Sequence, residues 1–218
     1  MQPQSHVQSP SNDARNILQP APRDLAMSAA RLTIFARWPE PGRAKTRLIP
    51  ALGAEGAAAL YRRLLEHTLA EARASGLPIE LRVTGAEPAR FQDWLGGDLA
   101  VVDQGEGDLG ARMARVAAPA ILIGSDCPDC DAAMLRRAAT ALARAPAVVG
   151  PASDGGYYLL GMGRPMPFLF HDMAWSTDAV MPETLRRFAL QGIAPALLPE
   201  LGDIDTPADL ARHPQFAR

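Results

Sequence analysis

The sequence predicts an α/β fold, a three-layer sandwich in which helices cover both faces of a mostly parallel sheet. Two observations lead there. From Arg31 onward, strand-like and helix-like runs alternate, which is the pattern that β-α-β units produce. The polar and glycine-rich segments suited to chemistry also fall just after strand-like runs, where ligands bind in sheets of this kind. The bulk properties agree. The chain has 218 residues, 48% hydrophobic and 21% charged, which suits one domain that buries its core without disulfides or a structural metal.

Each element has a local reason. RLTIFA is β-rich and closed by a Pro/Gly loop, so it is the first strand. Over residues 54–75, Ala57, Leu60, Tyr61, Leu64, Leu65, Thr68, Leu69 and Ala72 recur at helical spacing, with Gly76 and Pro78 as stop signals. IELRVT is a strand, EPARFQDWL a helix and LAVVD a strand, and a Gly-rich turn leads into the short helix DLGARMARV. AILIGSD is a buried strand, DAAMLRRAATALARA a helix, and AVVGPA and YYLLGM are strands. STDAVMPETLRRFALQG reads as a helix, IAPALLPEL as a final strand-like run, and DTPADLARH as a last helix capped by Asp or Thr. Residues 1–30, rich in Gln, Ser, Pro and Asn, are expected to be a disordered tail ahead of a domain at 31–218, with Met27 as an alternative start.

Charge and cysteine content exclude several classes. A net charge of −2 argues against a general nucleic-acid partner. No apolar run reaches the roughly 18 residues that a membrane span requires, and the N-terminal segment lacks the apolar core of a secretory signal. The two cysteines, Cys127 and Cys130, cannot build a disulfide framework and fit a reducing compartment, so a cytoplasmic location is expected.

Six loops could carry chemistry. After the first strand, Arg37, Arg43, Lys45 and Arg47 lie within eleven residues; guanidinium groups grip phosphate oxygens bidentately and lysine adds a mobile charge. This is not a P-loop, because GxxxxGK[ST] is missing. Asp126 stands where an apolar strand stops and can hold a hard divalent cation, Mg²⁺ or Mn²⁺; Asp129 and Asp131 are better placed to cap the next helix. Asp154-Gly155-Gly156-Tyr157 offers a carboxylate, close backbone approach and a stacking ring, or alternatively a plain hairpin turn. The Gly-rich stretch from Gln104 to Met113, the run Ala174–Asp178 and the Asp203/Asp205 pair are weaker candidates. Cys127-Pro-Asp-Cys130 carries a rival reading, a CxxC dithiol redox or binding protein.

On these segments the sequence resembles a bacterial family of predicted glycosyltransferases of the GT-A (nucleotide-diphospho-sugar transferase) fold, the radical-SAM/selenodomain-associated transferases, some linked to arsenosugar biosynthesis. FARWPEPGRAKTRL, QGEGDLGARM, LIGSDCPD, GPASDGGYYLLGM, WSTDAV and DIDTPADL carry the resemblance, from about Arg31 to the end. More distantly, the first loop and the DIDTPADL ending look like those of nucleotidyltransferases that guanylylate phospholactate or molybdenum cofactor. The resemblance implies that Arg43, Lys45 and Arg47 hold nucleotide phosphates, while Gln104, Asp108 and Gly110 line the nucleoside pocket. It implies a metal on Asp126 with Asp203 or Asp205 as second carboxylate. Asp154, Gly155, Gly156, Tyr157, Trp175, Ser176 and Asp178 would shape the acceptor side, with Lys45, Asp126 and Asp154 catalytic. The sequence departs from the family at Cys127, where serine is commoner, and at Arg37, where lysine is usual. The expected activity is metal-dependent transfer from a nucleotide sugar to a small-molecule acceptor, with nucleotidyl transfer to a phosphorylated acceptor as the alternative.

Overall fold

The strands are β1 (Arg31–Arg37), β2 (Ile79–Thr84), β3 (Ala100–Asp103), β4 (Ala120–Ile123), β5 (Ala147–Pro151), β6 (Tyr157–Met162) and β7 (Ala196–Leu197). In the computed structural model, which describes residues 30–217, they form one sheet in the order β3-β2-β1-β4-β6-β5-β7. The expected N-terminal tail lies, apart from Ala30, outside the described residues. The helices are α1 (Ile49–Ser75), α2 (Pro88–Leu95), α3 (Leu109–Ala114), α4 (Ala132–Leu142), α5 (Val180–Leu190) and α6 (Pro207–Arg212).

The sheet is mostly parallel, as alternation predicts. β6 alone runs antiparallel to both of its neighbours, β4 and β5. The reason is length: five residues separate β5 from β6, which permits a hairpin but not a crossover. The hairpin expectation for the DGG turn is met, with Ala152 N–H donating to the Gly156 carbonyl and Gly155 N–H to that of Ala152.

Three layers follow from side-chain alternation. Along β4, Ile121 and Ile123 face one core with Leu65 and Leu69 of α1, Phe91 of α2 and Leu135 of α4. Ala120 and Leu122 face the other, with Met113 of α3, Phe188 of α5 and Phe170 from the loop ahead of α5. β4 is therefore apolar on both faces, as a central parallel strand requires. A smaller cluster of Leu48, Leu60, Leu64, Ile204, Leu210 and Phe216 fastens the C-terminal segment to α1.

Element ends differ from the sequence expectation in three places, each for a local reason. Helix α1 is continuous from Ile49, but Gly53 is non-helical at φ 71°, ψ 168°, so the regular helix begins at residue 54 as the spacing predicts. Helix α5 starts at Val180 rather than Ser176. Ser176 is left-handed at φ 64°, and Thr177 turns its hydroxyl onto the Ala174 carbonyl, a local bond that competes with helix. The final strand shrinks to Ala196–Leu197 because Pro195 and Pro199, which lack N–H donors, bracket it.

Strand order places the site. β1 sends the chain to β2 on one side while β4 lies on the other, so a crevice opens at the carboxyl ends of β1 and β4. The Arg37–Arg47 loop and Asp126 meet there.

Candidate active site

The basic loop reaches the crevice through Lys45, whose backbone adopts the left-handed conformation, φ 47°, ψ 49°. Such a conformation costs a non-glycine residue about 1–3 kcal/mol and persists only where its surroundings enforce it. Here the ammonium explains it. Lys45 Nζ donates to Asp126 Oδ2 at 2.9 Å and to Asp205 Oδ1 at 2.7 Å, with the side chain only 4% exposed. Burial alone would lower the Lys45 pKa; Asp126 first and Asp205 next outweigh it and hold the pKa above the usual lysine value. Arg47 donates to the other oxygen of Asp205 at 3.1 Å from an exposed position.

Residues far apart in sequence are brought together by backbone pairing. Ile204 N–H donates to the Asp126 carbonyl, and the Ile204 side chain is wholly buried. The carboxylates on either side, Asp203 and Asp205, then flank Asp126 in different cavities. One cavity of about 430 Å³ is lined by Arg37, Arg43, Lys45, Arg47, Asp126 and Asp205. A second of about 300 Å³ is lined by Leu109, Asp126, Asp154, Tyr157, Trp175 and Asp203. Asp126 and Ser176 line both.

Asp203 carries the signature of an incomplete site. Its Oδ1 is buried without a hydrogen-bond partner. Burial, and after it the charge of Asp126, hold its pKa well above the usual carboxylate range. Asp205 spends both oxygens on Lys45 and Arg47, so of the two late carboxylates it is Asp203 that has an oxygen to offer a cation. Among the described residues no three His, Cys, Asp or Glu side chains form a metal cage. A pair of carboxylates completed by ligand phosphates is nonetheless the usual Mg²⁺ arrangement, and the orphaned Asp203 oxygen in a cavity shared with Asp126 fits it. Asp203→Asn should therefore raise the melting temperature of the metal-free protein by roughly 2–6 °C, since it removes a buried carboxyl whose ionisation burial and Asp126 oppose, at a cost of about 1–2 kcal/mol. Thermal melts in chelator check this; a lower melting temperature would mean the carboxylate has a stabilising partner.

Other residues singled out in the sequence divide sharply. Arg43 lines the basic cavity, and Asp154, Gly156, Tyr157, Trp175 and Ser176 line the second or both. Asp154 also accepts from Gly156 N–H at 2.9 Å, which fixes the hairpin turn. Gly155 and Asp178 have a packing role: Gly155 is at φ 89°, and a Cβ there would lie 2.4 Å from Asp178 Cα. The three residues expected around the nucleoside are committed to the fold. The Gln104 amide donates to the carbonyls of Ala36 and Arg82, tying β1 to β2. Asp108 caps α3 through Ala111 N–H. Gly110 is buried against the Phe170 carbonyl and Trp175. Asp131, as expected, caps α4. Sequence reasoning missed Tyr61. Its hydroxyl accepts from Arg37 N–H at 3.0 Å and meets Ser125 Oγ at 2.7 Å, so it joins the ends of β1 and β4 beside the cleft. Its place in the helical apolar pattern of α1 hid it.

The CxxC pair is structural in character. Cys127 and Cys130 are free and buried in the main core. Burial raises both thiol pKa values, that of Cys130 up to about 12, so neither forms the thiolate that redox exchange needs.

Residues 68–177, just over half of the chain and including Asp126, Asp154, Trp175 and Ser176, match a family of uncharacterized proteins conserved in bacteria. The chain belongs to the DUF2064 family. Among solved structures it is similar to a provisionally assigned nucleotide-diphospho-sugar transferase from Desulfovibrio desulfuricans G20, at 31% identity and TM-score 0.78 over 84% of this chain and 85% of that one. It shares its fold with Rv0371c from Mycobacterium tuberculosis H37Rv, at 23% identity and TM-score 0.50 over 85% and 98% of the two chains. The same holds for 4-diphosphocytidyl-2C-methyl-D-erythritol synthase from Anaerococcus prevotii DSM 20548, at 10% identity and TM-score 0.55 over 88% and 97%. No curated protein matches the sequence significantly. The DUF2064 chain thus has the GT-A-like fold that the resemblance implies. Among its described residues no helix is long and apolar enough to cross a membrane.

Proposed function

We propose that this DUF2064 protein is a nucleotide-using transferase that moves a sugar from a nucleoside diphosphate to a small-molecule acceptor. The observation that carries it is the pair of abutting cavities of opposite character, joined at Asp126 and Ser176. The first presents four cations to a polyphosphate. The second presents Asp126, Asp154 and Asp203 beside Tyr157 and Trp175, carboxylates to accept from sugar hydroxyls and rings to pack on the sugar's apolar face. The likeness to a provisionally assigned nucleotide-diphospho-sugar transferase at 31% identity supports this reading.

In the proposed reaction an acceptor hydroxyl oxygen bonds to the anomeric carbon while that carbon's bond to the diphosphate breaks. The nucleoside diphosphate leaves with the electron pair. Lys45, Arg43, Arg47 and Arg37 stabilise the charge that grows on it, without reorganisation at the moment of reaction. Asp154, a carboxylate of the second cavity, takes the proton that the attacking hydroxyl loses as the new bond forms. Asp126 and Asp203 would hold a divalent cation, which supplies charge neutralisation to the leaving phosphates when bound.

Nucleotidyl transfer from a triphosphate is the second reading, and the observation favouring it is the number of cations around the first cavity. Against a phosphorylated acceptor stands the second cavity, whose charged lining residues are all carboxylates.

The test is thermal melting with nucleoside diphosphates, triphosphates and nucleotide sugars, each with and without Mg²⁺ or Mn²⁺. A ligand at about a hundred times its Kd stabilises by about 2.7 kcal/mol, a shift of several degrees. Turnover then separates the reactions, since glycosyl transfer releases a nucleoside diphosphate and nucleotidyl transfer releases pyrophosphate. The absence of any shift with all three classes would refute the proposal.

A further inference from the structure

We infer that Lys45 is a built-in counter-cation which neutralises Asp126, a proposed ligand of the divalent ion, in the ligand-free protein and yields it when phosphate arrives. The inference rests on the proposed function and adds to it an order of binding. Four observations converge. The ammonium bridges two carboxylates, on Asp126 and Asp205, at 2.9 and 2.7 Å. It is sealed from solvent at 4% exposure, while the carboxylates are 33% and 36% exposed and so open to a ligand from the cleft side. Asp126 has no other cationic partner among the described residues, because Arg47 reaches Asp205 alone. The backbone of Lys45 is held in the left-handed region, so the loop presents this ammonium at a conformational cost.

A divalent cation on Asp126 would sit beside a resident positive charge in a partly desolvated cleft, where like charges repel strongly. Metal and lysine therefore compete for Asp126 as long as the lysine has nowhere else to go. The cavity that Lys45 lines, with Arg37, Arg43 and Arg47, is the alternative: a polyphosphate there offers the ammonium new partners and releases Asp126. Metal and nucleotide then bind with positive coupling, and coupling of this kind is reciprocal. An enzyme so built leaves free divalent cations largely unbound and loads them with its substrate.

The experiment reads Mn²⁺ binding to the nucleotide-free protein by the loss of the free-ion EPR signal. It compares wild type with Lys45→Met, Lys45→Gln as a second neutral replacement, and Lys45→Arg. Binding of inorganic pyrophosphate in metal-free buffer is measured calorimetrically on the same proteins. The expected result has opposite signs. Both neutral variants bind Mn²⁺ about tenfold or more tighter than wild type, Lys45→Arg stays near wild type, and pyrophosphate binds the neutral variants about tenfold more weakly. Neutral variants that bind Mn²⁺ no tighter than wild type would overturn the inference, and the transferase reading would stand if wild type still binds pyrophosphate. Absence of Mn²⁺ binding to all four proteins at millimolar concentration would overturn the inference together with the metal part of the proposed function.

Discussion

Asp126→Ala will lower transfer by a factor of about 10³ or more while moving the melting temperature by only a few degrees. The rate effect is large because Asp126 lines both cavities, so in the proposed reaction its loss removes the carboxylate shared by the leaving-group and acceptor sides. Removing a single preorganised electrostatic contact to a developing charge commonly costs about 10²–10³, and the loss of the proposed metal ligand adds to that. The stability effect is small because the fold uses the backbone of Asp126. Its carbonyl accepts from Ile204 N–H whatever the side chain, and Lys45 keeps Asp205 as a partner. Asp126→Asn should lose nearly as much activity, since it retains shape but not charge. Steady-state kinetics beside thermal melts check the pair, and activity within tenfold of wild type in the alanine variant would remove Asp126 from the chemistry.

Gly110→Ala will destabilise the protein by about 2–3 kcal/mol, lowering the melting temperature by roughly 5–10 °C. A Cβ at position 110 would lie 2.4 Å from the Phe170 carbonyl oxygen and 2.9 Å from Trp175 Nε1. The first obstacle is backbone, so relief requires helix α3 or the Phe170–Trp175 segment to move. This variant also decides between two accounts of the residue. A nucleoside-lining role predicts weaker ligand binding at unchanged stability; the packing role predicts a lower melting temperature without any ligand. Differential scanning calorimetry of the ligand-free protein distinguishes them.

The fold was legible because it rests on periodicity and short-range signals. Alternating runs, Gly76 as a stop and Asp131 as a cap are all local, and the structure keeps each of them. The candidate site was legible as a set of loops but not as a geometry. Lys45 is separated by 81 residues from Asp126 and by 160 from Asp205, and only strand order and the Ile204 bond to Asp126 bring the three together. Asp203 and Asp205 look equivalent in sequence; the burial of Ile204 between them assigns one to each cavity. Gln104 enters as a nucleoside contact through the family resemblance. Its amide is consumed by the carbonyls of Ala36 and Arg82, a tertiary demand with no local trace. The CxxC spacing is equally plain in sequence, whereas the burial that disables it is not.

The reversed strand β6 has a consequence for how such proteins diversify. Because it returns antiparallel after a five-residue turn, the tip bearing Asp154 reaches the same rim as the loops after β1 and β4, without a helix of its own. Outside Gly155, which packs against Asp178 and accepts from Met181 N–H, the tip can change its side chains while every strand keeps its partner. The half lined by the basic loop has less freedom, since Lys45, Asp126 and Asp205 are bound to one another across three distant segments. On the proposed function, the second cavity would therefore vary with the acceptor while the half built on Lys45, Asp126 and Asp205 is retained. Relatives built this way would share a donor chemistry and differ in what they modify.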